Sequence, residues 1–363
     1  MQMLETAAGA QIKLDGRDIV NFAGSAYLGL AQHPDLINAG LEAIRRFGAR
    51  PLMPPAYGLI TQPHLDVETE SARFFGTAAS VYLPSGYLLG LATLTGLRSR
   101  FDLVLLDEDG HYNLRDAAGA SGAQVRTFAH FDCDALESEL ARARHGNLQA
   151  FVAVDGMCPT FGTIPRLDVY AQLARKYQAL LFVDESHSFG TLGASGRGAI
   201  EECGLSPGEV LSGGSLGKAF AAAGAVINGS TEAVSGVSSA PCMRGASAGM
   251  AAGAAMAAAS LRLVRAHPEI LAKLRENIKR LKTGMRQMGI EVEDTPAPLA
   301  TFVAGTATQM QSMQQRLLDA GLFVLYLRYA GSGPQGAIRC SVFADHTHEQ
   351  IDLLLEALQR CKP

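Results

Sequence analysis

Two pieces of one stretch, residues 180–218, carry side chains able to do chemistry together. Leu180-Leu181-Phe182-Val183 is an apolar run that breaks into Asp184-Glu185-Ser186-His187-Ser188-Phe189-Gly190. Further on stands Ser212-Gly213-Gly214-Ser215-Leu216-Gly217-Lys218, a lysine in a loop of small residues. The first piece sets an acid and an imidazole at the end of a strand. The second sets an amine with little polar company in sequence. Such a setting lowers a lysine pKa from its usual ~10.4 and makes the amine nucleophilic, as Schiff-base chemistry requires. Together the pieces suit opposite sides of one flat cofactor. Taken singly, each residue also has an ordinary reading: an exposed lysine, an aspartate capping a turn, a surface histidine.

Other residues extend the pattern. A buried carboxylate at Asp184 needs a partner, and the protonated ring nitrogen of pyridoxal phosphate is one. His187 is placed to donate to a phenolate oxygen or a substrate carbonyl. His111 follows Leu103-Val104-Leu105-Leu106 and Asp107-Glu108-Asp109-Gly110. It either lies flat on an aromatic ring or is a plain loop histidine. Ser85-Gly86-Tyr87 precedes a helix and offers backbone N–H groups to a phosphate. The run Gly86 to Gly90 lacks the spacing of a dinucleotide fingerprint. Arg339, a charge inside the apolar run Ile338 to Phe343, suits a carboxylate clamp, or else an edge strand facing water.

The elements that must position these groups alternate. Apolar strands are expected at 80–83, 103–106, 124–128, 150–154, 180–183 and 209–212, with helices at 35–47, 64–75, 88–97, 113–120, 133–144 and 167–177. This is an α/β pattern, a mostly parallel central sheet covered by helices on both faces. Ligands of such sheets collect beyond the carboxyl ends of the strands, and Ser85, His111, Asp155, Asp184, His187 and Lys218 all follow apolar runs. An Ala/Gly-rich helix over 246–266 and a second over 268–288 lead into a smaller α+β C-terminal domain. Its strands are expected at 299–304, 323–327 and 338–343, its helices at 308–319 and 347–358. The division is an N-terminal segment 1–40, a large domain 41–245, and a connector helix with small domain 246–363.

Composition narrows the class. Of 363 residues 48% are hydrophobic and 18% charged, with net charge -4, which offers nothing to nucleic acid or an anionic membrane. Cys133, Cys158, Cys203, Cys242, Cys340 and Cys361 are scattered without a CxxC, so neither a metal site nor a disulfide framework is expected and a reducing cytoplasm suits them. The first residues lack the pattern of a signal peptide. The Ala/Gly-rich stretch is too weakly apolar for a membrane span.

The sequence resembles the α-oxoamine synthases, pyridoxal-phosphate enzymes of the class II aminotransferase type (fold type I). The resemblance rests on Tyr27-Leu28-Gly29-Leu30 with His33-Pro34, Ser85-Gly86-Tyr87, Asp107 to His111, Asp155-Gly156, Asp184 to Ser188, Gly196-Arg197-Gly198, Ser215 to Lys218, and Arg339 with His346. It implies that Lys218 holds the cofactor as a Schiff base and that Asp184 pairs with the pyridine nitrogen. It places His187 at the phenolate oxygen and His111 on the ring face, so that the catalytic set is Lys218, His187 and His111. Ser215, Ser85 and the Gly86 and Tyr87 amides would hold the phosphate, and Arg339 the amino-acid carboxylate. The implied reaction joins a small amino acid to an acyl thioester of coenzyme A or a carrier protein, with loss of CO₂, in a homodimer. An aminotransferase or decarboxylase of the same fold is the alternative, and a catalytically silent subunit or binding module a more distant one.

Departures cluster where acyl donor and second subunit would sit. Ser25-Ala26 replaces Asn-Asp, and Arg50 to Gly58 replaces a Gly/Ser-rich segment. Gly245-Ala246-Ser247-Ala248-Gly249 replaces the Ser-Thr-x-x-Pro-Pro segment that lends a phosphate contact across the dimer, with Ser247 as its substitute. Arg328-Tyr329-Ala330-Gly331 replaces Arg-Pro-Pro-Thr, and Pro159 stands where a serine is usual.

Overall fold

The computed structural model describes residues 3–361. Near its start, β1 (Gln11–Leu14) and β2 (Arg17–Asn21) pair as an antiparallel hairpin. Asp15 and Gly16 turn it with φ of 48° and 76°, a pair of positive values that suits the twist of a two-residue hairpin loop. The helix Pro34–Phe47 follows and packs on the helix Ala251–Ala266.

The central sheet is built from β3 (Ala79–Leu83), β4 (Leu103–Asp107), β5 (Gln124–Phe128), β6 (Ala150–Asp155), β7 (Leu180–Asp184), β8 (Leu211–Ser215) and β9 (Ala225–Gly229). The spatial order is β3-β9-β8-β7-β6-β4-β5. Only β9 runs against its neighbours; the others are parallel. The apolar runs explain this placement. Every residue of β4 and β6 is buried, and each Leu or Val sealed there contributes roughly 1.5–3 kcal/mol.

A second sheet holds β10 (Leu299–Phe302), β12 (Leu325–Leu327) and β13 (Ala337–Ser341) in the order β10-β13-β12. A third joins β11 (Leu322–Phe323) to β2 in parallel, so residues from both ends of the chain share one sheet. His346 fastens the same junction. Its Nε2 lies 3.0 Å from the Asn21 carbonyl, and its ring stacks on Phe22 at 4.2 Å. Burial pushes its pKa down to about 4, so it is neutral there.

Several elements differ from expectation, each for a local reason. The strand expected at 209–212 is β8 at 211–215. Its Gly213 and Gly214 face Leu89, Ile227 and Phe189 too closely for any side chain, so packing removed the apolar signal. β9, fully buried as Ala-Val-Ile-Asn-Gly, lies outside the expected strands. Residues 323–327 are not one strand but β11 and β12, which serve different sheets on either side of the buried Val324. The helix expected from 246 begins at Ala251. Ahead of it Gly249 sits at φ 89° and bridges to Leu52, which a continuing helix forbids. No helix among the described residues is long and apolar enough to cross a membrane.

Candidate active site

The carboxyl ends of β6, β7 and β8 lie side by side, and the titratable residues sit there. Asp155 and Asp184 end their strands as register partners. Both are buried, at 8% and 4% exposure. Asp184 accepts from the Ser186 N–H at 3.0 Å and from Asn113 Nδ2 at 2.9 Å. Asp155 accepts the His111 N–H at 2.8 Å. Burial and then the Asp184 charge push the Asp155 carboxyl up to about 8, against that hydrogen bond.

Lys218 follows β8 in a tight loop closed by Leu216 N–H to Gly224 O and Ala222 N–H to Leu216 O, both 2.9 Å. Its side chain is partly buried and makes no hydrogen bond or ion pair among the described residues. Burial lowers its pKa, and the charges of Asp184 and Asp155 oppose that only in part. His187 Nδ1 lies 2.9 Å from the Tyr27 hydroxyl. Burial first, then the charges of Lys218, Arg339 and His111, hold His187 well below its ordinary pKa. Tyr27 is fully buried and pushed up to about 12 by that burial, so the pair is a neutral phenol on a neutral imidazole.

Glu185 turns away from this cluster. It is fully buried and accepts from Ser188 Oγ, from Ala199 N–H at 2.7 Å and from Ile200 N–H at 2.9 Å. A Cβ on Gly156 or Gly198 would lie 2.7 or 2.5 Å from its carboxylate. Those glycines therefore exist to admit Glu185, which fixes the turn carrying His187.

Ser85, Gly86 and Tyr87 enter the helix Leu88–Gly96. A Cβ on Gly86 would lie 2.9 Å from the Ser215 Cβ, so glycine lets this backbone close on Ser215. Ser215 donates its N–H to Ser186 Oγ at 3.0 Å, and its own Oγ accepts the Gly217 N–H at 3.2 Å. The result is a narrow cradle of amides and hydroxyls at a helix N-terminus, where an anion is favoured. The Tyr87 side chain is exposed and its hydroxyl donates to Asp116, while its backbone N–H lies 3.3 Å from Ser85 Oγ within the cradle.

Arg339 is not an edge residue: β13 is the middle strand of its sheet. Its Nη1 donates to the Pro159 carbonyl at 2.8 Å, while its Nε is buried with no partner. A buried guanidinium N–H is costly unpaired and calls for an acceptor such as a carboxylate. His111 stands at the N-cap position of the helix Tyr112–Ser121, and its ring meets Tyr329 edge-on at 5.8 Å. Ser247 stands elsewhere. It is exposed and lines a cavity of about 210 Å³ with His64, Tyr82 and Met243, and none of the other candidates lines it.

Sequence reasoning missed three partners: Asn113 on Asp184, Tyr329 beside His111, and Tyr27 as the hydroxyl on His187. Tyr27 lay within a quoted motif. Asn113 gave no signal, since an asparagine early in a helix is commonplace.

An unpaired amine of lowered pKa, a buried carboxylate held by two donors, a Gly86–Ser215 cradle and an orphaned guanidinium N–H together fit a flat phosphorylated pyridine aldehyde and an amino acid. The comparisons agree. Residues 17–358 match the family described as aminotransferase class I and II. The chain is 33% identical to 8-amino-7-oxononanoate synthase of Methylococcus capsulatus, over 100% of this chain and 94% of that protein. It is 33% identical to the synthase of the same name from Thioalkalivibrio sulfidiphilus, over 99% and 92%. Among solved structures it superposes on serine palmitoyltransferase from S. paucimobilis, which has PLP bound, with TM-score 0.93 and 26% identity over 99% of this chain and 92% of that one. The chain belongs to the class I and II aminotransferase family, and within it to the α-oxoamine synthases, as a pyridoxal-phosphate-dependent transferase.

Proposed function

We propose that this enzyme condenses a small amino acid with an acyl thioester, releasing CO₂ and the free thiol and leaving an α-amino ketone. The observation that carries this reading is Lys218: an unpaired amine, its pKa lowered by burial, set among Asp184, Asp155 and Arg339. Pyridoxal phosphate supplies an aldehyde carbon that takes an amine and a ring that withdraws electrons from the amino acid's Cα.

The chain's own residues then have distinct tasks. Lys218 Nζ, its pKa lowered by burial, takes and returns the Cα proton. Asp184, oriented by the Ser186 N–H and Asn113 Nδ2, would accept from a protonated ring nitrogen. With the Tyr27 hydroxyl donating to His187 Nδ1, 2.9 Å away, the His187 Nε2–H would be left to donate to a phenolate oxygen. His111 would lie on the ring face. Ser85, Ser215 and the Gly86 and Tyr87 amides would bind the phosphate. Arg339, with Nε open and Nη1 held by Pro159, orients the substrate carboxylate until it departs as CO₂.

The test is to add amino acids one at a time with an acyl-coenzyme A and titrate free thiol. Thiol release matched by CO₂ is expected. Transfer of the amino group to a keto acid without thiol release refutes the reading. The reading includes a dimer, supported by the exposed apolar face of Ile37, Leu41 and Ile44 with Met53, Tyr57 and Leu59. Sedimentation at a single-chain mass across micromolar concentrations would count against it.

A further inference from the structure

We propose that Asn113 is a positioning residue that ties Asp184 to His111 and fixes the His111 ring with its proton on Nδ1, leaving Nε2 as the lone-pair nitrogen. Asn113 is 3% exposed, so both ends of its amide must find partners inside the protein. Nδ2 donates to Asp184 Oδ2 at 2.9 Å, and Oδ1 lies 2.7 Å from His111 Nδ1.

The amide orientation follows from the neighbours. An ionised carboxylate only accepts, and Asp184 also accepts the Ser186 N–H at 3.0 Å, so the NH₂ end of Asn113 must face it. The oxygen end then faces the imidazole, and a 2.7 Å contact to a carbonyl oxygen requires N–H on Nδ1. One contact points the other way: the Asn113 backbone N–H lies 3.2 Å from the same Nδ1. Nδ1 cannot donate to one and accept from the other. The shorter contact decides, because a bare Nδ1 would set two lone pairs 2.7 Å apart.

The links close into a ring. Asp184 joins Asn113, Asn113 joins His111, the His111 N–H joins Asp155, and Asp155 is the strand partner of Asp184. Within it burial, and then the Asp184 charge, raise the Asp155 pKa. His111 Nε2 has no partner among the described residues, so the ring face and its lone-pair nitrogen are held while that edge stays open. The role of His111 rests on the function proposed above; the hydrogen-bond assignment does not.

The test uses holoenzyme labelled with ¹⁵N in its histidine rings, with His111 signals assigned by their loss in His111→Gln. In the wild type the neutral His111 ring should show a protonated-type Nδ1 and a lone-pair-type Nε2. Asn113→Ala should shift His111 toward the Nε2–H form and weaken cofactor binding about tenfold, as loss of a hydrogen bond to a charge does. Asn113→Asp keeps an acceptor for Nδ1–H and loses the donor to Asp184, so it should retain the tautomer while losing cofactor affinity. A wild-type lone pair on Nδ1, or an Asn113→Ala spectrum like the wild type, overturns the proposal. Should Asn113→Ala not fold, the wild-type spectrum alone still decides. The visible cofactor band reports the functional reading separately: its absence with an Nδ1–H His111 refutes that reading and not this assignment.

Discussion

Replacing Asp155 with asparagine tests the carboxylate pair at the ends of β6 and β7. In the folded chain burial and the neighbouring Asp184 push the Asp155 carboxyl up to about 8, against roughly 3.9 when unfolded. Between those values the native state holds a proton that the unfolded state has released. Stability therefore falls as pH rises, by roughly 3 kcal/mol from pH 5 to pH 7. At ~2.1 cal/mol/K per residue, the 363 residues give an unfolding entropy near 0.8 kcal/mol/K. This one group thus lowers Tm by about 3–4 °C over the window. Asparagine keeps an acceptor for the His111 N–H and titrates nothing. In calorimetry without added cofactor, the Tm of D155N minus that of the wild type should grow by about 3–4 °C from pH 5 to 7 and level off above about 8. A gap that stays flat, or narrows with pH, means that the native pair does not hold the proton.

Other substitutions probe the remaining groups. Lys218→Ala should abolish the borohydride-fixable cofactor, read as loss of the mass adduct after reduction; stoichiometric labelling of the variant refutes the Schiff-base role. Arg339→Ala should raise the amino-acid KM by about 10²-fold with the acyl-thioester KM little changed, and equal effects on both would argue against a carboxylate clamp. Glu185→Ala strands the Ser188 hydroxyl and the Ala199 and Ile200 N–H groups. It should cost roughly 3–5 kcal/mol, seen as a Tm drop of about 4–6 °C, with Glu185→Gln milder.

The legible parts of the chain were those where burial and local pattern coincide. β4 and β6 are unbroken apolar runs because parallel strands are covered on both faces, and each ends in an aspartate that breaks the run. β8 and β9 were harder to read, since close packing against Phe189, Leu211 and Leu89 demands glycine at positions where a strand normally advertises itself. The same limit applies to the site. Asp184, His187 and Lys218 announce themselves by standing at the ends of apolar or small-residue runs. Asn113 matters only through what folding brings to either side of its amide, and no spacing along the chain encodes that. The split of 322–327 between two sheets is likewise a tertiary fact, set by β2 and β13 as partners.

The pairing of β2 with β11 has a consequence for how the protein is made. Strand residues near 20 wait for partners near 322, roughly 300 residues later, a delay of about 15–60 s at ribosomal speeds. The His346 contact to Asn21 arrives later still. Tyr27, which holds His187, hangs from this late-closing junction. The seven strands from 79 to 229 can assemble on the emerging chain with mostly local crossovers, whereas the N-terminal hairpin depends on contacts of very high sequence separation. The segment that carries Tyr27 is braced by the Ala344 N–H on the Tyr27 carbonyl at 2.8 Å, so the imidazole side of the site leans on contacts of much higher sequence separation than the loop that carries Lys218.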